Sequence, residues 1–138
     1  MAGCSVAFAQ TAHISLWLLG DMTLRMESRD ADRTLLVEKL PASKARALGI
    51  SAGATLWQGS RKGDRLIGEA FSYKANCPPL RYEATGNAKL DARGRLVLTG
   101  LEPSRAANGC ERGPTSADRA TSWTLTLKGK PTDFKDEE

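Results

Sequence analysis

Few side chains in this sequence can do chemistry alone, so their spacing decides what is open to them. Cysteines stand at Cys4, Cys77 and Cys110. Cys77 and Cys110 are flanked by Pro78-Pro79 and by Gly109, without the clustered spacing of a zinc site. In an oxidising compartment they are expected to pair, closing a loop worth about 3–4 kcal/mol of chain entropy. His13 is the single histidine. One histidine builds no multi-histidine metal site, and a general base needs a nucleophile beside it. Cys77 or Cys110 could serve as that nucleophile only while unpaired, since a disulfide offers no thiolate. Glu69 and Glu83 both fall in strand-like runs and could approach across a sheet, as the paired acids of a glycosidase must. Each is equally well placed as a surface partner for Lys74 or Arg81. Gly59, Gly63 and Gly68 are followed by no helix start and no Lys-Ser/Thr, so they form no phosphate cradle. No cofactor or metal signature emerges, and the expectation is a chain that is not an enzyme and has no catalytic residues.

The aromatic side chains carry the binding hypothesis. Trp17, Trp57, Tyr73, Tyr82 and Trp123 are spread over five strand-like runs. If they pointed into a barrel they would line a pocket for a small apolar or aromatic ligand; otherwise they are core. Arg61, Lys62 and Arg65 share one hairpin, an arrangement compatible with an oligonucleotide-binding barrel. Against that, 20 Lys and Arg face 16 Asp and Glu, a net charge of +4, with the signs interleaved from Glu27 to Arg33. Interleaved charge marks a solvated surface, so nucleic acid is not an expected partner.

The elements that must position these residues are short runs of period two between glycine-rich turns. Ile14, Leu16 and Leu18 alternate with His13, Ser15 and Trp17, which puts His13 on the polar side of the first strand. Gly20-Asp21 breaks the run, and Met22, Leu24 and Met26 alternate with Thr23, Arg25 and Glu27. Further runs cover 34–40, 54–60, 65–73, 80–85 and 95–99, and a last one places Trp123, Leu125 and Leu127 on one face. Pro41 to Leu48 predicts one or two helical turns, with proline at the first position and Gly49 where the chain leaves. Ala106 to Ala120 reads as a long loop tethered by Cys110. These elements predict an all-β fold: a small antiparallel barrel or sandwich of about eight strands with one short helix.

The N-terminus bears on compartment. Met1 to Gln10 carries no charge, and Ala7-Phe8-Ala9 fits the small-x-small pattern that signal peptidase leaves. Residues 1–9 therefore read as the remnant of a signal peptide, whose removal would take Cys4 away and leave an even pair of cysteines. Ala2-Gly3-Cys4 also resembles the end of a lipoprotein signal, which makes Cys4 a candidate lipidation site. Residues 10–130 form a single β domain, and 131–138 are a charged tail expected to be disordered. No stretch is long and apolar enough to be a transmembrane helix.

From Leu40 to Cys110 a longer series stands out. It runs Leu40-Pro41, Leu48-Gly49-Ile50, Gly53-Ala54-Thr55-Leu56-Trp57-Gln58-Gly59, Gly63, Gly68-Glu69-Ala70-Phe71, Cys77-Pro78, Tyr82, Gly86, Leu98-Thr99-Gly100 and Cys110. This series resembles a β-rich module of unknown function in exported proteobacterial proteins, including alphaproteobacterial ones, also found C-terminal to caspase-like domains. The resemblance implies a secreted, disulfide-bonded β domain and brings no peptidase residues with it. The functional expectation is an exported, non-catalytic β domain, periplasmic or secreted, that binds a protein or envelope component. The alternatives are a small β-barrel with an apolar or aromatic ligand in its interior, and a carboxylate-dependent hydrolase acting through Glu69. No cofactor is expected.

Overall fold

The alternating runs close on themselves. The computed structural model, which describes residues 12–128, is a closed barrel in which each strand pairs antiparallel with the next. The strands are β1 (His13–Leu19), β2 (Met22–Arg29), β3 (Asp32–Lys39), β4 (Thr55–Lys62), β5 (Arg65–Ser72), β6 (Leu80–Asn87), β7 (Arg95–Glu102) and β8 (Arg119–Leu127), and β8 returns to β1. A single helix, α1 (Ala42–Leu48), lies between β3 and β4, and a 3-10 turn at Thr115–Ala117 precedes β8. The choice between barrel and sandwich thus falls to the barrel. Pro41 is the cap before α1, and β8 opens at Arg119, so the preceding loop ends two residues earlier than its composition predicts. The signal remnant with Cys4 and the tail 131–138 lie outside the described residues.

Eight strands enclose a space that side chains can fill completely. Here they fill it with Trp17, Leu24, Met26, Leu35, Val37, Trp57, Leu66, Leu98 and Leu125, all nearly inaccessible. The outer face carries charges such as Arg25, Glu27, Glu38, Glu69 and Arg81, the reverse polarity of a barrel embedded in lipid.

In β1 the faces are opposite to those read from its sequence. Ser15 and Trp17 point inward, while Ile14 and Leu18 stay 46% and 39% exposed. Counting apolar residues favours the Ile-Leu-Leu face. The barrel instead buries the one large indole, whose N–H donates to Ser15 Oγ at 3.0 Å. His13 accordingly lies on the inward-facing side, with its Nε2 buried.

Trp57 sets the spacing of the neighbouring strands. Its indole lies across β5 and donates to the backbone carbonyl of Ala84 in β6 at 3.0 Å. Gly68 sits beneath it. A Cβ there would stand 2.8 Å from Trp57 Cζ2 and would collide with the carbonyl of Gln58. Only a residue without a side chain leaves room for the ring. At the end of the barrel where β2–β3 and β4–β5 turn, Arg33 is 5% exposed and donates to the carbonyls of Asp30 and Asp32 at 2.7 and 3.0 Å. Gly68→Val should cost about 3 kcal/mol or more by overpacking, read as an earlier midpoint in guanidinium unfolding; an unchanged midpoint would contradict this packing.

Candidate functional site

Four connections gather at the other end of the barrel: the β1–β2 turn, the segment carrying α1, the β5–β6 loop and the β7–β8 loop. Each is anchored. Cys77 in the β5–β6 loop is bonded to Cys110 in the β7–β8 loop, 33 residues away, with Cα atoms 5.3 Å apart. Arg105 reinforces the same junction, donating to the carbonyls of Cys110 (2.9 Å), Ser72 (2.8 Å) and Pro78 (3.1 Å). Asp118 braces the β7–β8 loop by accepting from the Ser104 amide at 3.1 Å and from Arg112 at 2.7 Å. On the opposite side, Lys44 of α1 meets Asp21 at 3.1 Å. Gly49 ends α1 in the left-handed region (φ 70°), where a Cβ would stand 2.8 Å from Ala75 Cα. The helix end and the β5–β6 loop are therefore in direct contact.

Between these anchors lies a cleft of about 160 Å³. Leu19, Met22, Leu48 and Leu56 line it with aliphatic side chains, and Phe71, Tyr73, Tyr82 and Trp123 supply the aromatic surface. Of the five aromatic candidates, three thus line an open site, while Trp17 and Trp57 are fully buried in the interior. Tyr73 donates to the carbonyl of Thr55 at 2.6 Å, and Tyr82 lies near Thr121, whose hydroxyl donates to the carbonyl of Gly100 at 3.2 Å. Burial pushes the pKa of both above the usual tyrosine value; at Tyr82 the Thr121 hydroxyl opposes this and the Glu102 carboxylate adds to it.

The cleft opens into a polar recess of about 370 Å³, sharing Ser72, Tyr73 and Glu102 with it. Lys74, Arg105 and Arg119 line the recess. Glu102 accepts from Ser72 Oγ at 2.7 Å and sits 3.3 Å from Arg119 Nη2. A carboxylate is therefore already housed at the boundary between apolar cleft and cationic wall. The arrangement can hold an apolar group beside an anionic one. No protein-family model, curated protein or solved structure matches this chain.

The remaining sequence candidates lie elsewhere. Glu69 and Glu83 do face one another as partners across β5 and β6. They stand exposed on the outer wall, with Arg81 at 3.7 Å from Glu69, and line neither the cleft nor the recess. His13 pairs with Ser28 at the end of the barrel away from the disulfide, so it cannot serve either cysteine. Among the described residues no group of His, Cys, Asp and Glu could hold a metal ion, and no helix is long and apolar enough to cross a membrane. Sequence reasoning missed Ser72, Glu102, Arg105 and Arg119. They carry no local signature, and only the register of distant strands brings them together.

Replacing Cys77 and Cys110 together by serine should lower unfolding free energy by about 3–4 kcal/mol, measured by denaturant titration against the oxidised parent. The phenols allow a second measurement, because Tyr73 and Tyr82 are the only tyrosines. Their folded pKa values are raised, so their contribution to stability is complete below the unfolded value of 10.0 and is lost as pH climbs through the folded values. The midpoint of the tyrosinate absorbance titration should lie above pH 10.0 in the native protein and return to that value in denaturant.

Proposed function

We propose that this chain is an exported, non-catalytic domain that captures a segment of another protein at its disulfide-bonded end, seating one apolar side chain in the cleft. The observation that carries this reading is the cleft itself. Its lining is mostly apolar and aromatic, and this apolar part, roughly 160 Å³, is smaller than the roughly 300–1,000 Å³ of small-molecule sites, while the recess beside it is open and lined by charge. The cleft has room for a single side chain presented by a larger partner. The interior behind it is occupied by large side chains, Trp17 and Trp57 among them at 0% exposure, which favours the cleft over the barrel interior as the binding place.

Export is supported by the cross-link, since such bonds form and persist in oxidising compartments, and by Ala7-Phe8-Ala9 near the N-terminus. The resemblance over Leu40 to Cys110 points the same way. That the domain is non-catalytic is part of this reading: Glu102, which accepts from the Ser72 hydroxyl, is also engaged by Arg119.

Display selection of random peptides on the oxidised domain tests this. Enriched sequences should share an apolar or aromatic residue, and Trp123→Ala should weaken them by about tenfold or more with its thermal melt showing an intact fold. Peptides that bind the parent and Trp123→Ala equally would refute the reading.

A further inference from the structure

β8 pairs with β7 along its whole length, from Glu102↔Arg119 to Arg95↔Thr126. On its other side it meets β1 at only two positions, Trp17↔Leu127 and Leu18↔Thr126, because β1 ends at Leu19 and turns away through Gly20. Hydrogen bonds at the end of β8 identify the groups left over. In an antiparallel strand the N–H and C=O of one residue point to the same side, and that side alternates along the chain. The Leu127 N–H donates to Gly94 on the β7 side, and the Lys128 N–H donates to Leu16 on the β1 side, both at 2.9 Å. The β7–β8 register is unbroken, so even-numbered residues of β8 aim away from β7. Ala120, Ser122 and Thr124 therefore present N–H and C=O groups that have no backbone partner among the described residues.

Strand edges of this kind are ordinarily guarded by lysine, proline or a bulge. From Ala120 to Leu127 there is no charge, no proline and no register shift, and Thr, Ser and Trp dominate. Ala120, Ser122 and Thr124 are all exposed. Among the described residues the edge is open, extended and unguarded. It also borders the cleft, because the odd-numbered Trp123 lines the cleft and Arg119 lines the recess.

We infer that the partner segment binds by adding a strand to this edge, an inference that rests on the cleft-capture reading above. The segment lies antiparallel to Ala120–Thr124 and continues the line of β1 beyond its turn. Its backbone bonds to Ala120, Ser122 and Thr124, as in other cases of strand addition. Directly opposed side chains share a face. The residue opposite Trp123 stands over the cleft and is apolar. The residue four positions later stands opposite Arg119 and is acidic, because Arg119 is 79% exposed and Lys74 and Arg105 line the same recess. The ligand class is an extended peptide in which an apolar residue is followed, four positions on, by Asp or Glu.

The probe is the heptapeptide Ac-Thr-Leu-Thr-Val-Thr-Glu-Thr-amide, with leucine opposite Trp123 and glutamate opposite Arg119. At saturation the amides of Ala120, Ser122 and Thr124 should exchange about tenfold or more slowly than in the free domain. N-methylation of the threonine that follows leucine, opposite Ser122, should weaken binding by about tenfold or more, whereas N-methylation of the valine, whose N–H faces away, should be tolerated. Ser122→Pro should keep the melt of the parent, since that N–H is not used in the β7 ladder, and lose the peptide. Should it fail to fold, the methylated peptides on the parent domain decide alone. Arg119→Glu should reverse the preference from glutamate to lysine in the probe. If the heptapeptide does not bind, or tolerates both methylations equally, strand addition is wrong. Display-selected peptides that still need Trp123 would in that case leave cleft capture standing. Amides of the edge that are already protected in the free domain would also overturn the proposal, with sedimentation distinguishing a second copy from a terminal segment of the same chain.

Discussion

The indole of Trp57, laid over Gly68 with its N–H on the carbonyl of Ala84, is the contact on which the rest of the molecule turns. A buried indole must satisfy its donor and must find a flat apolar bed. Both come from β5 and β6, so one side chain of β4 holds three strands at a fixed spacing. Ala70 and Ala84, both buried, are small for the same reason. Together with Trp17 on the opposite wall, the ring occupies the volume that a larger barrel would leave for a ligand. Arg33 fills the end near β2–β3. The cleft accordingly lies at the disulfide-bonded end, where the walls continue beyond the packed core.

That end combines stiff and labile parts. The Cys77–Cys110 bond and the three carbonyls held by Arg105 bind the β5–β6 and β7–β8 loops into one unit. Disrupting Arg105 would strand a charge among carbonyl dipoles, a costly arrangement. The contact between Glu102 and Arg119 is of another kind. The guanidinium is 79% exposed and the separation is 3.3 Å, and exposed pairs of this sort contribute about 0–1 kcal/mol. An arriving carboxylate can therefore share or replace Glu102 beside Arg119 at little cost, while the framework around it stays fixed.

Much of this architecture was legible from residue order. The period-two runs, the turns at Gly20 and Gly63, the short helix ending at Gly49 and the cysteine pair all follow from local rules, and each stands where those rules place it. The failures have a common cause. The inward face of β1 was misread because Ile14, Leu16 and Leu18 outnumber Trp17, yet the interior selects by volume and fit rather than by count. The sorting of Trp17 and Trp57 into the core, and of Tyr73, Tyr82 and Trp123 into the cleft, depends on height along the barrel axis, to which period two is blind. Ser72, Glu102 and Arg119 meet only because β5, β7 and β8 end at the same level, a consequence of register between strands up to 47 residues apart (119 − 72).

Register also accounts for the seam. Strands in a closed barrel tilt and stagger, so the first and last seldom finish flush. Here β1 turns at Gly20 while β8 runs on to Arg119, leaving an overshoot beside the cleft. An overshoot of this kind is ordinarily a hazard, and elsewhere the outer wall is well supplied with charge: Arg25, Glu27 and Glu38 on β2 and β3, Glu69 and Arg81 on β5 and β6. The charges thin out on β8, where Ala120, Ser122, Thr124 and Thr126 face outward beside the exposed Ile14, Leu18, Val97 and Leu101. Stagger alone explains why an edge exists. It does not explain why the side chains that would normally repel another strand are absent from that edge and present on β2, β3, β5 and β6; the strand addition proposed above would account for both.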